Sequence, residues 1–261
     1  MPLDNDDLPV GRILTRRDVV RLLGGASAGG VLWLAGCGGN QRPAAAGGSG
    51  AAAADSGAMA ALDCAARPEM TPGPYFVDTG LTRTDIRTDG RTGEAQAGLP
   101  LELVLVVSRI AAGACTPLAG AVVDVWHCNA LGVYSGVRDP GFDTTGQTWL
   151  RGNQATDGDG RAAFTTIFPG WYPGRASHIH FAIRAPAAAG TYEFTSQLFF
   201  EEPLLTSIYT SAAPYTTKGD ERRPRNTQDG IYRRGGSQLV MRTERAGEGY
   251  RAEFRIGLEM A

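Results

Sequence analysis

The residues whose types and spacing could do chemistry are concentrated in Trp171-Tyr172-Pro173-Gly174-Arg175-Ala176-Ser177-His178-Ile179-His180-Phe181. The chain has three histidines, and two of them stand here as H-x-H. In an extended strand successive side chains alternate faces, so His178 and His180 point the same way, about 7 Å apart along the backbone. Two imidazoles on one face can converge on one metal ion. Six positions earlier Tyr172 sits in a Pro/Gly turn. As a phenolate it offers a hard anionic oxygen, suited to a highly charged ion such as Fe(III). Taken alone, a surface or core histidine pair is the alternative reading of H-x-H.

The elements that must position these residues read as short strands separated by turns. Apolar or alternating runs predict strands over Leu101–Val107, Gly120–His127, Arg161–Phe168, Ser177–Arg184, Thr191–Phe200, Ser237–Met241 and Tyr250–Gly257. No stretch carries a sustained 3.6-residue period. Many short strands with Gly/Pro turns predict an all-β fold, an antiparallel two-sheet sandwich or a barrel. Asp157-Gly158-Asp159-Gly160 shares its first positions with a calcium loop but lacks the later acidic ligands, and it reads as a hairpin turn. A second tyrosine, Tyr134, leaves the Gly120–His127 strand through Cys128-Asn129-Ala130-Leu131-Gly132-Val133.

Taken together, these segments resemble the intradiol ring-cleavage dioxygenases, the protocatechuate and catechol dioxygenase type. The resemblance runs through Thr71-Pro72-Gly73-Pro74-Tyr75-Phe76, Arg83-Thr84-Asp85-Ile86-Arg87, and the D-x-W-x-x-x-A-x-G-x-Y segment ending at Tyr134. It continues through P-G-x-Y-P, H-I-H-F, Ser196-Gln197-Leu198-Phe199-Phe200 and Asn226-Thr227-Gln228-Asp229-Gly230-Ile231-Tyr232. It implies the two-sheet sandwich with long active-site loops, and a non-haem Fe(III) held by Tyr134, Tyr172, His178 and His180. It implies that Arg175 lies beside the substrate and faces negative charge that develops during cleavage. Gln197 falls at the position of a supporting glutamine, and Tyr75 in a segment that lines the substrate entrance. The implied reaction cleaves a catechol-type diol with O2 to a cis,cis-muconate-type product, with the Tyr172 phenolate accepting a proton as substrate arrives. The 2-His-1-carboxylate set of extradiol enzymes is not this pattern. A non-catalytic surface lipoprotein using the sandwich for binding is the rival reading. His127 falls at no ligand position and reads as a structural or pocket-wall residue. The segment from Tyr172 to His178 lacks the longer protocatechuate-type insertion, which favours uncharged catechols.

Composition excludes other classes. The net charge is −2 and offers no basic stripe for nucleic acid. Four cysteines are too few for a disulfide-built scaffold. Of the three in the expected domain, Cys115 and Cys128 are separated by too much extended chain to pair. Cys64 with Cys115 is preferred over Cys64 with Cys128, and three free thiols are the alternative.

The N-terminal part reads as an address. Arg16-Arg17 precede a Gly/Ala-rich apolar run, resembling a twin-arginine export signal. That run closes on Leu34-Ala35-Gly36-Cys37, which resembles a lipobox and marks Cys37 for lipidation and membrane anchoring. A plain export signal with an incidental Cys37 is the alternative. The expected organisation is therefore a signal over 1–37, a Gly/Ala tether over 38–62 and a catalytic domain over 63–261. Oligomeric state is left open.

Overall fold

The computed structural model describes residues 64–187 and 190–260. The expected signal and tether, with Cys37, lie outside the described residues. In chain order the elements are β1 (Pro100–Ala111), β2 (Ala114–Pro117), β3 (Val122–Trp126), β4 (Arg138–Asp139), β5 (Phe142–Asp143), β6 (Arg151–Ala155), β7 (Arg161–Ile167), β8 (His178–Ala187) and β9 (Gly190–Phe199). A helix, α1 (Glu202–Ser211), follows, then short 3-10 turns between Tyr215 and Leu239, β10 (Arg242–Ala246) and β11 (Gly249–Glu259). Among the described residues no helix is long and apolar enough to cross a membrane.

Two sheets form the expected all-β sandwich. One runs β10-β11-β1-β2 with β7 also on β1; the other runs β6-β3-β8-β9. Every ladder is antiparallel except β1 with β11, which is parallel from Leu101↔Tyr250 to Ile110↔Glu259. The core is built by alternation. Leu101, Leu103, Leu105 and Val107 of β1 face Val123 and Val125 of β3 and Ile179, Phe181 and Ile183 of β8, with Phe254 of β11 against Phe181 at 6.1 Å. Because these odd-numbered β8 residues fill the core, the even-numbered His178 and His180 lie on the other face of their sheet.

The expected Ser237–Met241 strand is not one. Gly236–Leu239 is a 3-10 turn, and the neighbouring strand begins at Arg242. Leu239 and Met241 are buried as plugs, so their apolar alternation reflects burial without a ladder. Helix α1 also escaped the periodicity reading, because its buried face is only Leu205, Ile208 and Tyr209 over ten residues, although Pro203 marks its first turn. The Asp157–Gly160 segment is a tight turn, closed by Gly160 N–H donating to Asp157 O (3.0 Å) and Asp157 N–H to Arg161 O (2.9 Å). It joins strands of different sheets, β6 and β7, and so is a corner of the sandwich. Gly160 has φ +74° and no room for a Cβ, which would stand 2.2 Å from Val107 O. Cys64 and Cys115 form a disulfide, tying the start of the described chain to β2, and Cys128 is a buried free thiol.

Candidate metal and catalytic site

Two loops deliver the tyrosines, and glycines let them press together. A Cβ on Gly170 would stand 2.5 Å from Asn129 O, and one on Gly132 (φ +81°) 2.3 Å from Trp171 O. Gly170 N–H donates to Asn129 O (2.9 Å), while Asn129 Oδ1 accepts from the amides of Leu131 (3.0 Å) and Val133 (3.1 Å). Lys218, the only lysine, clamps the pair of loops by donating to Trp171 O (2.6 Å) and Leu131 O (3.2 Å). Beneath them Tyr209 of α1 donates to Pro169 O (2.8 Å) and Tyr215 to Phe168 O (2.8 Å).

Tyr134, Tyr172, His178 and His180 come together in the interior. His178 Nε2 lies 3.0 Å from His180 Nε2, 3.4 Å from the Tyr172 hydroxyl and 3.5 Å from the Tyr134 hydroxyl. Their residues are buried, Tyr172 the most exposed at 8%. His178 Nδ1–H donates to Ala176 O (2.7 Å), which leaves its Nε2 with a lone pair. Burial first, then the Arg175 charge, pushes His178 down to about 3, and burial and His178 hold His180 well below the usual histidine range. Both rings are therefore neutral.

These donors fit a metal. His180 Nδ1 is buried with no hydrogen-bond partner. A proton on Nδ1 leaves two Nε2 lone pairs facing each other, and a proton on Nε2 leaves a buried Nδ1 lone pair unanswered. A cation among the four atoms resolves the first arrangement. Ligands about 2.1 Å from a common centre at ordinary bond angles stand roughly 3.0–3.4 Å apart, close to the 3.0–3.5 Å that separates His178 Nε2 from the other three atoms. No group of three His, Cys, Asp or Glu able to hold a metal exists among the described residues, so the set depends on tyrosine oxygen.

Arg175 stands behind Tyr172 in a short turn. Its Nη1 lies 3.5 Å from the Tyr172 hydroxyl, its Nη2 donates to Gln197 Oε1, and its Nε donates to Asp229 Oδ2 (3.0 Å). Gln197, opposite His180 in the β8–β9 ladder, donates through Nε2 to Thr71 O (2.9 Å). It thereby ties the arginine to the N-terminal strap of residues 64–76. Asp229 lies in the Asn226–Tyr232 segment, whose sequence alone does not show its role. Its carboxylate also accepts from the amides of Ala176 (2.9 Å), Ile231 (2.8 Å) and Tyr232 (3.1 Å). Burial works to raise this carboxyl, but the Arg175 charge and the amides hold it below the usual carboxylate range.

Tyr75 lies over the tyrosines. Its ring stacks on Tyr134 at 4.6 Å and meets Tyr172 edge-on at 6.3 Å, while its hydroxyl donates to Asp139 (2.7 Å). Trp126, which sequence reasoning did not single out, stacks on His180 at 5.1 Å and 7°. His127 is a structural residue. It donates from Nδ1 to Cys128 O (2.8 Å) and accepts at Nε2 from Thr166 (2.7 Å), and burial lowers it to about 4.

The chain is thus an all-β sandwich with a buried Tyr/His donor set on the outer face of one sheet. A family model described as "Dioxygenase" matches residues 71–215, more than half of the 261 residues, and the chain belongs to that family. The chain is 28% identical over 172 residues to catechol 1,2-dioxygenase 1 of Acinetobacter lwoffii, covering 56% of this chain and 50% of that one. It is 30% identical over 154 residues to a chlorocatechol 1,2-dioxygenase of Pseudomonas sp. strain P51, covering 52% of this chain and 56% of that one. The matched stretches thus span about half the length of these relatives. Among solved structures, an intradiol ring-cleavage dioxygenase from Tetranychus urticae superposes with TM-score 0.62 and 28% identity, covering 76% of this chain and 94% of that one.

Proposed function

We propose that this chain is a non-haem Fe(III)-dependent intradiol dioxygenase, cleaving catechol-type aromatic diols with O2 to cis,cis-muconate-type products. The observation that carries the reading is the approach of two phenol oxygens and the His180 Nε2 to within 3.0–3.5 Å of His178 Nε2, with Arg175 alongside. Tyr134, Tyr172, His178 and His180 would hold the iron. When bound, Fe(III) supplies the activation that lets a coordinated diol react directly with O2, so no organic cofactor or external reductant is required.

The chain's own residues do the rest. Tyr172 lies within reach of the Arg175 guanidinium, which places its oxygen to accept a substrate proton while the cation steadies the site's negative charge. Asp229 and Gln197 orient that guanidinium from two sides. Tyr75 and Trp126 wall the donor set with aromatic rings and exclude water. The names of the relatives support catechols as the substrate class, and the short Tyr172–His178 segment supports uncharged ones. The twin-arginine pair and the Leu34–Cys37 segment support export and lipid anchoring through Cys37.

The test is iron-loaded protein offered catechol, protocatechuate, chlorocatechols and hydroxyquinol, with oxygen uptake and product absorbance followed. A red-brown colour from tyrosinate-to-Fe(III) charge transfer and turnover of catechol are expected. A colourless iron-loaded protein would sink the enzyme reading, and a clear preference for protocatechuate would refute the substrate assignment. In fractionated cells Cys37→Ala should release the protein from membranes with its activity unchanged.

A further inference from the structure

One buried cation has no place in the scheme so far. Arg151 opens β6, and the β6–β3 and β3–β8 ladders pair it with Trp126 and Trp126 with His180. Directly opposite residues in a ladder share a face, so Arg151 stands on the rung of the sheet that carries His180. Its residue is 2% exposed. Among the described residues no carboxylate forms a salt bridge with it, in contrast to Arg175 with Asp229 and Arg223 with Asp220.

The guanidinium holds one point of the chain. Nε donates to Ser135 O (3.1 Å) and Ser135 Oγ (3.0 Å), and Nη2 donates to Ser135 O (2.7 Å). Ser135 is the residue after Tyr134, and its hydroxyl in turn donates to Trp149 O (2.5 Å). The remaining nitrogen, Nη1, is buried without a hydrogen-bond partner. Directly before Arg151, the buried Leu150 has φ +56°, a left-handed conformation that a leucine adopts only where its surroundings impose it. The chain thus bends unfavourably into β6 at the point where this side chain turns toward Ser135.

Burying a guanidinium without a counter-anion is costly, and a carbonyl alone can be satisfied by a neutral donor. The Tyr134 phenolate, one residue from the Ser135 that the guanidinium holds, is an anion whose charge acts on Arg151 against the effect of burial. We propose that Arg151 is the positioning residue for Tyr134: its fork fixes the main chain one residue beyond the tyrosine, and its unpaired charge balances the phenolate. The inference rests on the reading of Tyr134 as an iron ligand. It assigns Arg151 no contact with substrate.

Iron-loaded wild type, Arg151→Met and Arg151→Lys would be compared by iron loss to a chelator and by the energy of the visible tyrosinate band, with circular dichroism to establish folding. Outer partners of metal ligands change metal affinity by about 10–100-fold when mutated, and Arg151→Met should fall in that range with a displaced band. Arg151→Lys restores the charge but cannot make the fork, so its band should return toward wild type while iron retention stays weakened. Wild-type band and retention in Arg151→Met overturn the inference. Should Arg151→Met fail to fold, wild-type retention in Arg151→Lys overturns it equally. A wild-type protein with no tyrosinate band instead overturns the reading of Tyr134 as a ligand.

Discussion

Replacing Asp229 by asparagine should cost more than any surface change, and the structure says how much. Oδ2 accepts from Arg175 Nε and Ala176 N, and Oδ1 accepts from the amides of Ile231 and Tyr232. An asparagine keeps one acceptor and turns an NH2 group toward two donors, whichever way it is flipped. Arg175, 3% exposed, loses the carboxylate of its buried ion pair. Removing one partner of a buried pair costs about 3–5 kcal/mol. At roughly 2–4 °C per kcal/mol for a domain of this size, that is a fall in Tm of about 6–20 °C. Calorimetry and urea unfolding of metal-free protein at neutral pH would measure it. The loss should shrink as pH falls, because a carboxyl held below its unfolded value contributes stability above that value and loses it on acidification. Asp229→Leu combined with Arg175→Met should lose less than the two changes summed. Stability of Asp229→Asn within about 1 kcal/mol of wild type would refute the pairing argument.

The two tyrosines should not be equivalent. Tyr172→Phe is expected to retain iron through three remaining ligands yet bind catechol slowly and turn over poorly. Tyr134→Phe should shift the visible band, and His178→Ala or His180→Ala should lose iron most completely. Stopped-flow spectra of the anaerobic catechol complex separate them: wild type should lose part of its tyrosinate band on binding and Tyr172→Phe should not. Metal-free protein should also lose stability as pH falls below about 6.5, the unfolded histidine value. Burial lowers His127 to about 4 and His178 to about 3, so the unfolded chain takes up those protons first. A flat stability profile between pH 7 and 5 would contradict this.

Much of the site was legible because strand alternation is local. H-x-H needs only a period of two to place both imidazoles on one face, and β8 delivers them there opposite the Ile179/Phe181 core face. Tyr172 was legible beside the histidines from its type and spacing, but Tyr134 only through the order of motifs, since nothing in Gly132–Tyr134 alone says that its loop packs on Gly170. The partners that orient the site are remote in sequence. Asp229 reaches Arg175 across 54 positions and Arg151 reaches Ser135 across 16, and neither pairing has a periodic signature. The Cys64–Cys115 disulfide matches the preferred pairing. The Ser237–Met241 error has the opposite origin: alternating burial was present and Leu239 and Met241 pack into the core, but among the described residues the segment pairs with a strand through a single isolated bridge, Phe199 with Val240.

The parallel pair of β1 and β11 imposes an order of assembly. The sheet bearing the histidines is complete in sequence by Phe199, whereas β1 must wait for a partner as remote as Arg251, 149 positions beyond Glu102. During synthesis the nascent chain therefore has one sheet with all its strands made and one with a long apolar strand still lacking its parallel partner. Open edges of this kind invite pairing with other chains, and non-local parallel pairing is slow to form. Arg175, too, emerges from the ribosome well before its carboxylate at 229. The strands that carry the histidines are thus made early but their supports arrive late, and chains cut short before Gly249 would be expected to aggregate rather than to yield a smaller working domain.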